Sequence, residues 1–253
     1  MPTTPSKLRV LVLSGGPDAE RPVSITSARF VAEALRASGR FDVSEQTIDR
    51  ITAPELKAIP ADVIVPVLHG GWGEGGPLQD ILEADGRPFV FSSARASRLA
   101  MDKIATKMAA LSLGIPTPAT YVLDLRDGVC PIAFPVIVKP VHEGSTVGLY
   151  VVKSQADWTR AIEAIRAESR GSAPRTYMIE PMITGARGGR AREVTVGVLD
   201  GRALPIIEII PAQELYDYEA KYHRNDTQYL LDPELPPGVD KLVKEHAVKL
   251  SAA

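Results

Sequence analysis

The chain has 253 residues, 45% hydrophobic and 24% charged, which is typical of one large folded domain or two to three small ones and excludes a disordered chain. Its formal charge of −2 gives no general attraction to nucleic acid or to anionic membranes, so we expect neither as a partner. Cys130, the single cysteine, has no partner for an internal disulfide, and residues 1–9 lack a signal-peptide pattern. No apolar run approaches the ~20 residues of a membrane helix. We therefore expect a cytoplasmic protein.

Strand and helix patterns alternate in the N-terminal part of the chain. An apolar run at 8–13 stops at Gly15-Gly16, and a helical pattern follows with Ser24 as its predicted N-cap and Gly39 at its end. Because the glycine pair lacks the full G-x-G-x-x-G spacing, a structural turn is favoured over a dinucleotide site. Further strand patterns lie at 41–48, 63–68 and 88–92. This alternation predicts a parallel α/β layer covered by helices on both faces.

A glycine-rich connection, His-Gly-Gly-Trp-Gly-Glu-Gly-Gly-Pro at 69–77, follows the strand pattern at 63–68. Open α/β sheets bind their ligands at the carboxyl ends of strands, so this connection is predicted to border a site. Its five glycines indicate that something passes close to the main chain. We keep His69 as a candidate substrate contact, although a lone histidine is more often a structural hydrogen-bonding residue.

A long helix is predicted over 97–113. Its core-facing residues are predicted to be Ala100, Ile104, Met108 and Leu111. Lys103 and Lys107 lie four residues apart on one face, a spacing that normally indicates a solvated helix surface.

The segment 134–148, Phe-Pro-Val-Ile-Val-Lys-Pro-Val-His-Glu-Gly-Ser-Thr-Val-Gly, is the strongest candidate for a phosphate site. A β-branched strand pattern ends at Lys139, which supplies a point charge, and a glycine-containing loop follows, whose N–H groups can bond anionic oxygens. The candidate loop residues are Gly144, Ser145, Thr146 and Gly148. Taken alone, an ordinary strand followed by a Gly-Ser turn is an equal alternative.

The C-terminal part contains the clearest hairpin signal. Strand patterns at 192–199 and 202–210 flank Asp200-Gly201, a dipeptide that supports a tight turn between antiparallel strands. Residues 214–232 are polar and tyrosine-rich, as expected of an ordered functional loop or lid. Other strand patterns lie at 120–125, 149–153 and 176–183, with helices at 155–167 and after Gly238.

Five separated motifs occur in an order and spacing that resemble the D-alanine–D-alanine ligases, members of the ATP-grasp superfamily. They lie at 15–24, 69–79, 101–107, 138–148 and 218–222. The resemblance implies an α/β fold with a parallel N-terminal pre-ATP-grasp domain followed by an ATP-grasp domain of α+β type that is incomplete at its C-terminus. The implied parts are a substrate-binding domain at 1–93, a central subdomain at 94–191 and a partial C-terminal subdomain at 192–253 with a lid at 214–232.

The resemblance also implies an ATP-dependent carboxylate–amine ligase for peptidoglycan precursor synthesis. ATP phosphorylates the carboxylate of a first D-alanine, and the amine of a second attacks the acyl phosphate. Implied nucleotide contacts are Lys103, Lys139, Gly144, Ser145, Thr146, Glu180, Met182, Ile183, Glu193 and Lys221. Implied catalytic residues are Glu20, Ser145 and Tyr222, and implied substrate contacts are Glu20, His69 and Tyr222.

Three departures from the family pattern stand out. Gly71 and Gly75 replace a usual basic residue and an aspartate, and the link at 184–192 is longer and more basic than usual. Family members continue beyond Ala253 into a segment that supplies the ligands for Mg²⁺ or Mn²⁺, so we expect a truncated member with no metal ligands of its own. Two alternatives stay open: a non-catalytic nucleotide-binding remnant, and a ligase for other amino or hydroxy acids. The oligomeric state is also open, with a homodimer as one alternative.

Overall fold

A computed structural model describes residues 7–170, 175–185, 189–212, 220–221 and 224–253. The chain divides into two compact units, Met1–Asp102 and Lys103–Ala253. Among the described residues, no helix combines the length and the apolar character needed to span a bilayer.

The first unit is built on a three-stranded parallel sheet in the order β2-β1-β3. Its strands are β1 (Leu8–Gly15), β2 (Phe41–Ile48) and β3 (Val63–Pro66). Its helices are α1 (Arg21–Ala37), α2 (Ala53–Ala58), α3 (Gly70–Gly73), α4 (Pro77–Asp85) and α5 (Ala94–Met101). The predicted parallel α/β layer is therefore confirmed.

Both faces of the central strand β1 are buried. Leu11 and Leu13 pack into one apolar cluster, which includes residues of α2 and α4. Val10 and Val12 point the other way and pack against α1 at Ala28. A strand covered on both faces has a continuous apolar sequence, which explains the unbroken run at 8–13.

The second unit contains two antiparallel sheets. The first has the order β4-β7-β5-β6, with β4 (Tyr121–Val122), β5 (Val136–Pro140), β6 (Tyr150–Val152) and β7 (Tyr177–Pro181). The second has the order β10-β9-β8, with β8 (Glu193–Leu199), β9 (Arg202–Ile210) and β10 (Gln228–Leu231). The helices of this unit are α6 (Lys103–Ser112), α7 (Gln155–Glu168) and α8 (Val239–Ser251).

Local sequence signals explain two of these elements. Helix α7 packs Trp158, Ile162 and Ile165 against the β4-β7-β5-β6 sheet, a spacing that matches one helical face. Strands β8 and β9 form the predicted hairpin, and both residues of its Asp200-Gly201 turn have positive φ, 50° and 70°. That conformation matches the right-handed twist of the paired strands, so the hairpin prediction is confirmed.

The single long helix predicted over 97–113 is wrong. Asp102 adopts an extended conformation with ψ of 105°, so α5 ends at Met101 and α6 begins at Lys103. Met108 and Leu111 of α6, predicted to face a core, are 66% and 58% exposed.

Two predictions in the first unit also need correction. Helix α1 begins at Arg21, and Ser24 is a buried helical residue instead of the N-cap. Its hydroxyl accepts from the Gly15 amide at 2.9 Å and donates to the Val67 carbonyl at 2.5 Å, so it joins the loops after β1 and β3. The strand predicted at 88–92 is reduced to a parallel bridge between Ile64 and Phe89.

A buried ion pair gives a stability prediction for the first unit. Arg87 donates to both carboxylate oxygens of buried Asp85, at 2.6 and 2.8 Å, and to the carbonyls of Ile59 and Leu56. We expect Arg87→Met to destabilise this unit by about 3 kcal/mol, because it leaves an uncompensated buried carboxylate. Hydrogen exchange of the β1 amides measures the change.

The matched control is Arg29→Met, which removes an exposed helical pair with Glu33. Exposed pairs contribute little, so we expect a change of under about 0.5 kcal/mol. Equal effects of the two substitutions would contradict the importance of the buried pair.

Candidate functional site

Strand β5 directs one of its two faces into a cavity. Val136, Val138 and Pro140 are buried on one face, while Ile137 and Lys139 lie on the other and line the cavity. Successive side chains of a strand point to opposite faces, so the strand pattern itself places the Lys139 ammonium in the cavity.

The cavity has a volume of about 680 Å³ and lies wholly within the second unit. Its walls combine apolar side chains with charged ones. The lining residues are Phe134, Pro135, Ile137, Lys139, Leu149, Lys153, Glu180, Pro181, Met182, Ile183, Thr184, Gly189, Arg190, Ala191, Arg192 and Glu193. The predicted nucleotide residues Lys139, Glu180, Met182, Ile183 and Glu193 therefore share one cavity.

Glu180, which lines this cavity, forms ion pairs with two lysines. Its side chain is only 12% exposed, and one carboxylate oxygen accepts from Lys139 while the other accepts from Lys107 at 2.6 Å. Burial acts to raise the pKa of Glu180, but the hydrogen bonds from Lys107 and Lys139 outweigh it and the pKa is lowered. Glu180 is therefore held in its charged form.

Lys107 was predicted to lie on a solvated helix surface, and this prediction is wrong. Its side chain is only 15% exposed because α6 directs it to Glu180, 73 positions further along the chain. Local spacing cannot reveal such a partner. The only hint in the sequence is that Lys103 and Lys107 lie among apolar residues, which is unusual for a solvated helix surface.

Lys103, one turn earlier in α6, contacts the loop after β5 and not Glu180. Its ammonium donates to the carbonyls of Val141 and Glu143, at the start of the loop that follows β5. Its backbone amide also donates to the Val141 carbonyl, at 3.1 Å. Lys103 therefore ties α6 to this loop, and it is not among the described residues that line the cavity.

The loop after β5 has a strained backbone. Ser145 and Thr146 have positive φ values of 50° and 64°, a conformation that costs non-glycine residues about 1 kcal/mol or more each. Gly144 accepts from the Val147 amide at 3.1 Å, which closes the turn around them. Strain of this kind concentrates at binding sites, which supports the predicted role of the loop.

A network of polar side chains that was not predicted from the sequence packs against this loop. Arg175 lies 3.3 Å from a Glu143 carboxylate oxygen and 3.2 Å from one of Glu168, and the Tyr177 hydroxyl donates to Glu168 at 3.0 Å. Burial and then the Glu168 hydrogen bond raise the pKa of Tyr177 to about 12. A side chain at Gly148 would meet the Tyr177 hydroxyl at 3.0 Å, so the loop packs closely on this network.

The end of β7 and the start of β8 also line the cavity. The Met182 amide donates to the Pro135 carbonyl at 3.0 Å, which fixes the chain after β7, and Ile183 is exposed. The longer basic link places Arg190 and Arg192 in the wall, and Arg192 makes a two-pronged ion pair with Glu208 at 2.7 and 2.8 Å. The charge of Arg192 is therefore compensated locally.

A second polar cluster lies in the first unit. Glu20 directly precedes α1 and is buried despite its charge. His69 directly precedes α3, with its Nδ1 atom 3.9 Å from a Glu74 carboxylate oxygen. The buried Nε2 atom of His69 has no hydrogen-bond partner among the described residues. Such an unsatisfied atom suits a ligand contact.

The glycines after His69 have an internal explanation. A side chain at Gly70 would lie 2.4 Å from the Asp18 side chain, and one at Gly73 would lie 2.7 Å from Leu68. Asp18 also accepts from the Trp72 amide at 3.0 Å. At Gly70 and Gly73 the close approach is thus an approach of the protein to itself, whereas the space beside Gly71 is open.

Part of the predicted lid lies outside the described residues, namely 214–219 and 222–223, and Tyr222 is among them. Lys221 is described and partly exposed, next to buried Ala220. Within the described ranges, no group of three or more histidine, cysteine, aspartate or glutamate side chains could hold a metal ion.

Comparisons with known proteins agree with this architecture. Residues 125–253 match a family model described as D-ala D-ala ligase C-terminus. A D-alanine–D-alanine ligase of Syntrophotalea carbinolica is 36% identical over 97% of this chain and 77% of its own length. One from Pseudomonas putida is 38% identical over 96% of this chain and 73% of its own length.

Solved structures of D-alanine–D-alanine ligases are also similar to this chain. A D-alanine–D-alanine ligase from Bacillus anthracis matches with a TM-score of 0.78 and 28% identity, over 97% of this chain and 78% of its own. The structure of that enzyme complexed with ATP matches with a TM-score of 0.75 over 98% of this chain and 78% of its own.

The His69 cluster gives a prediction for pH dependence. The interaction with the Glu74 carboxylate raises the pKa of His69, against the effect of burial, and the charge of Glu20 adds to it. The stability contributed by the pair is therefore complete below pH about 6.5 and is lost as the pH rises through the raised pKa. We expect Glu74→Gln to lower the pKa of His69, measured by NMR titration.

Glu33→Gln, on the exposed surface of α1, is the control and should leave the His69 titration unchanged. Identical His69 titrations in Glu74→Gln and in the unchanged protein would show that this pair does not form in solution.

Proposed function

Because this chain belongs to the D-alanine–D-alanine ligase family, we propose that it joins two D-alanine molecules in a reaction driven by ATP. The observation that carries the proposal is the cavity of about 680 Å³ into which β5 directs Lys139. Small-molecule sites have volumes of roughly 300–1,000 Å³ and combine apolar walls with a few fixed polar groups. A fixed cation between such walls suits a ligand with a flat base and a phosphate tail.

The base and ribose would be held by the wall formed after β7. Met182 and Ile183 offer backbone groups and an apolar surface for the adenine, and the Glu193 carboxylate can accept from ribose hydroxyls. Glu180 would contribute through its backbone, since both of its carboxylate oxygens are bonded to lysines.

The phosphates would be held at the other end by cations and by the strained loop. Lys139 supplies the charge inside the cavity, and Lys103 fixes the loop start through the Val141 and Glu143 carbonyls. The loop residues Gly144 to Gly148 and the partly exposed Lys221 complete this proposed group. Phosphoryl transfer depends mainly on positioning and charge, so these residues need no covalent role.

The first D-alanine would be recognised by residues of the first unit. The buried Glu20 carboxylate suits an ammonium group, and protonated His69 can donate from its unsatisfied Nε2 atom to a carboxylate. Ser145 and Tyr222 are proposed to orient the substrates and to help remove the proton from the attacking amine.

The reaction proceeds in two balanced steps. A carboxylate oxygen of the first D-alanine bonds to the terminal phosphorus of ATP as the bond to ADP breaks, which gives an acyl phosphate. The amine of the second D-alanine then bonds to the acyl carbon, inorganic phosphate leaves, and the amine loses a proton. Fixed cations stabilise the charge that develops on the phosphoryl oxygens.

Magnesium or manganese, which the family resemblance implies, has no ligand set among the described residues. No residue of this chain is therefore assigned to it. We further propose that the dipeptide serves peptidoglycan precursor synthesis, and hence cell-wall formation and cell shape, in the cytoplasm.

The activity test is an assay with ATP, magnesium ion and D-alanine that measures released phosphate and dipeptide together. We expect the two products in equal amounts, and we expect Lys139→Met to lower the turnover rate by about 10²- to 10³-fold, because one charge-stabilising group is lost. Lys241→Met, which changes an exposed lysine of α8, is the control.

Failure to form D-alanyl-D-alanine would contradict the proposal. The same assay separates the alternatives: ATP binding by calorimetry without turnover would indicate a non-catalytic nucleotide-binding protein. Phosphate release that requires another amino or hydroxy acid, found with a substrate panel, would indicate a different ligase.

A further inference from the structure

Three charged side chains from three elements meet beside the proposed nucleotide cavity. Lys107 comes from α6, Lys139 from β5 and Glu180 from β7. Their side chains are 15%, 23% and 12% exposed, and each lysine bonds to its own oxygen of the Glu180 carboxylate. Of the two lysines, Lys139 lines the cavity.

The arrangement creates a competition for one carboxylate. Two ammonium groups and one carboxylate leave a net charge of +1, so Glu180 cannot neutralise both lysines. A half-buried Lys139–Glu180 pair without a competitor would be a closed ion pair, and an arriving phosphate would have to break it. With Lys107 on the second oxygen, Glu180 stays compensated when Lys139 moves to another anion.

We propose that Lys107 is a positioning residue for nucleotide binding: it shares the Glu180 carboxylate and thereby leaves Lys139 able to bind the phosphates in the cavity. This role rests on the proposed function, since it requires a phosphate ligand beside Lys139. Lys107, the second lysine of the 101–107 motif, would thus contribute to nucleotide binding without contacting the nucleotide.

A purely structural role for Lys107 makes a different prediction. If Lys107 only tethered α6 to β7, its removal would weaken the fold and would affect nucleotide binding equally whether or not Glu180 is charged. If it competes for Glu180, its removal matters only while the carboxylate is present to hold Lys139.

The test is a double-mutant cycle with ATP dissociation constants measured by calorimetry. We expect Lys107→Met to weaken ATP binding about tenfold, and we expect the same substitution to weaken it less than about threefold in a Glu180→Gln background. Lys107→Arg keeps the charge and the donors, so it should bind ATP within about twofold of the unchanged protein. Lys241→Met is the exposed control.

A second measurement needs no nucleotide. In the free protein, Lys107→Met should raise the pKa of Glu180, followed by carboxyl NMR titration, because one of its two stabilising cations is lost. Thermal unfolding of every variant shows whether a loss of binding reflects a loss of folding, and Lys107→Arg keeps the test decisive if Lys107→Met does not fold.

The outcomes separate this role from the proposed function. No ATP binding by the unchanged protein would overturn both. Normal ATP binding by Lys107→Met, an equal loss in both backgrounds, or an unchanged Glu180 titration would overturn the role of Lys107 alone.

Discussion

The interaction on which the rest of the second unit depends is the pairing of the largely buried Glu180 carboxylate with two ammonium groups. A carboxylate taken out of water is stable only if other groups compensate its charge, and here the compensation comes from α6 and from β5. Lys103 and Lys107, one helical turn apart, attach α6 to the loop after β5 and to β7. The rotation of α6 is thereby fixed, at the expense of exposing Met108.

Lys139, which forms an ion pair with Glu180, also lines the cavity. One side chain therefore contributes both to the stability of the fold and to the proposed binding of a ligand. The loop after β5 adds a second constraint, because its two non-glycine residues of positive φ are held by surrounding contacts. Arg175, between Glu143 and Glu168, links the loop to β7 and to the end of α7. In the proposed function, the strained backbone and the shared charges prepare the site for an anionic ligand before the ligand arrives.

Patterns within a segment were predictable from the sequence, whereas partners between segments were not. The strand that ends near Lys139 and the hairpin around Asp200-Gly201 were both predicted from local patterns. The extended residue Asp102 interrupts a helical pattern that is continuous in the sequence. Lys107 looked like a surface lysine because its partner lies 73 positions away. The glycines at 70 and 73 suggested a ligand, but the chain's own side chains fill that space.

The central claim is that the cavity beside Lys139 holds the phosphates of ATP. Footprinting with an amine-reactive reagent and mass spectrometry tests it directly, since labelling of each lysine is followed across an ATP titration. We expect ATP to slow the labelling of Lys139 while the exposed Lys241 is labelled at a constant rate. A labelling rate of Lys139 that does not change with ATP would contradict the claim.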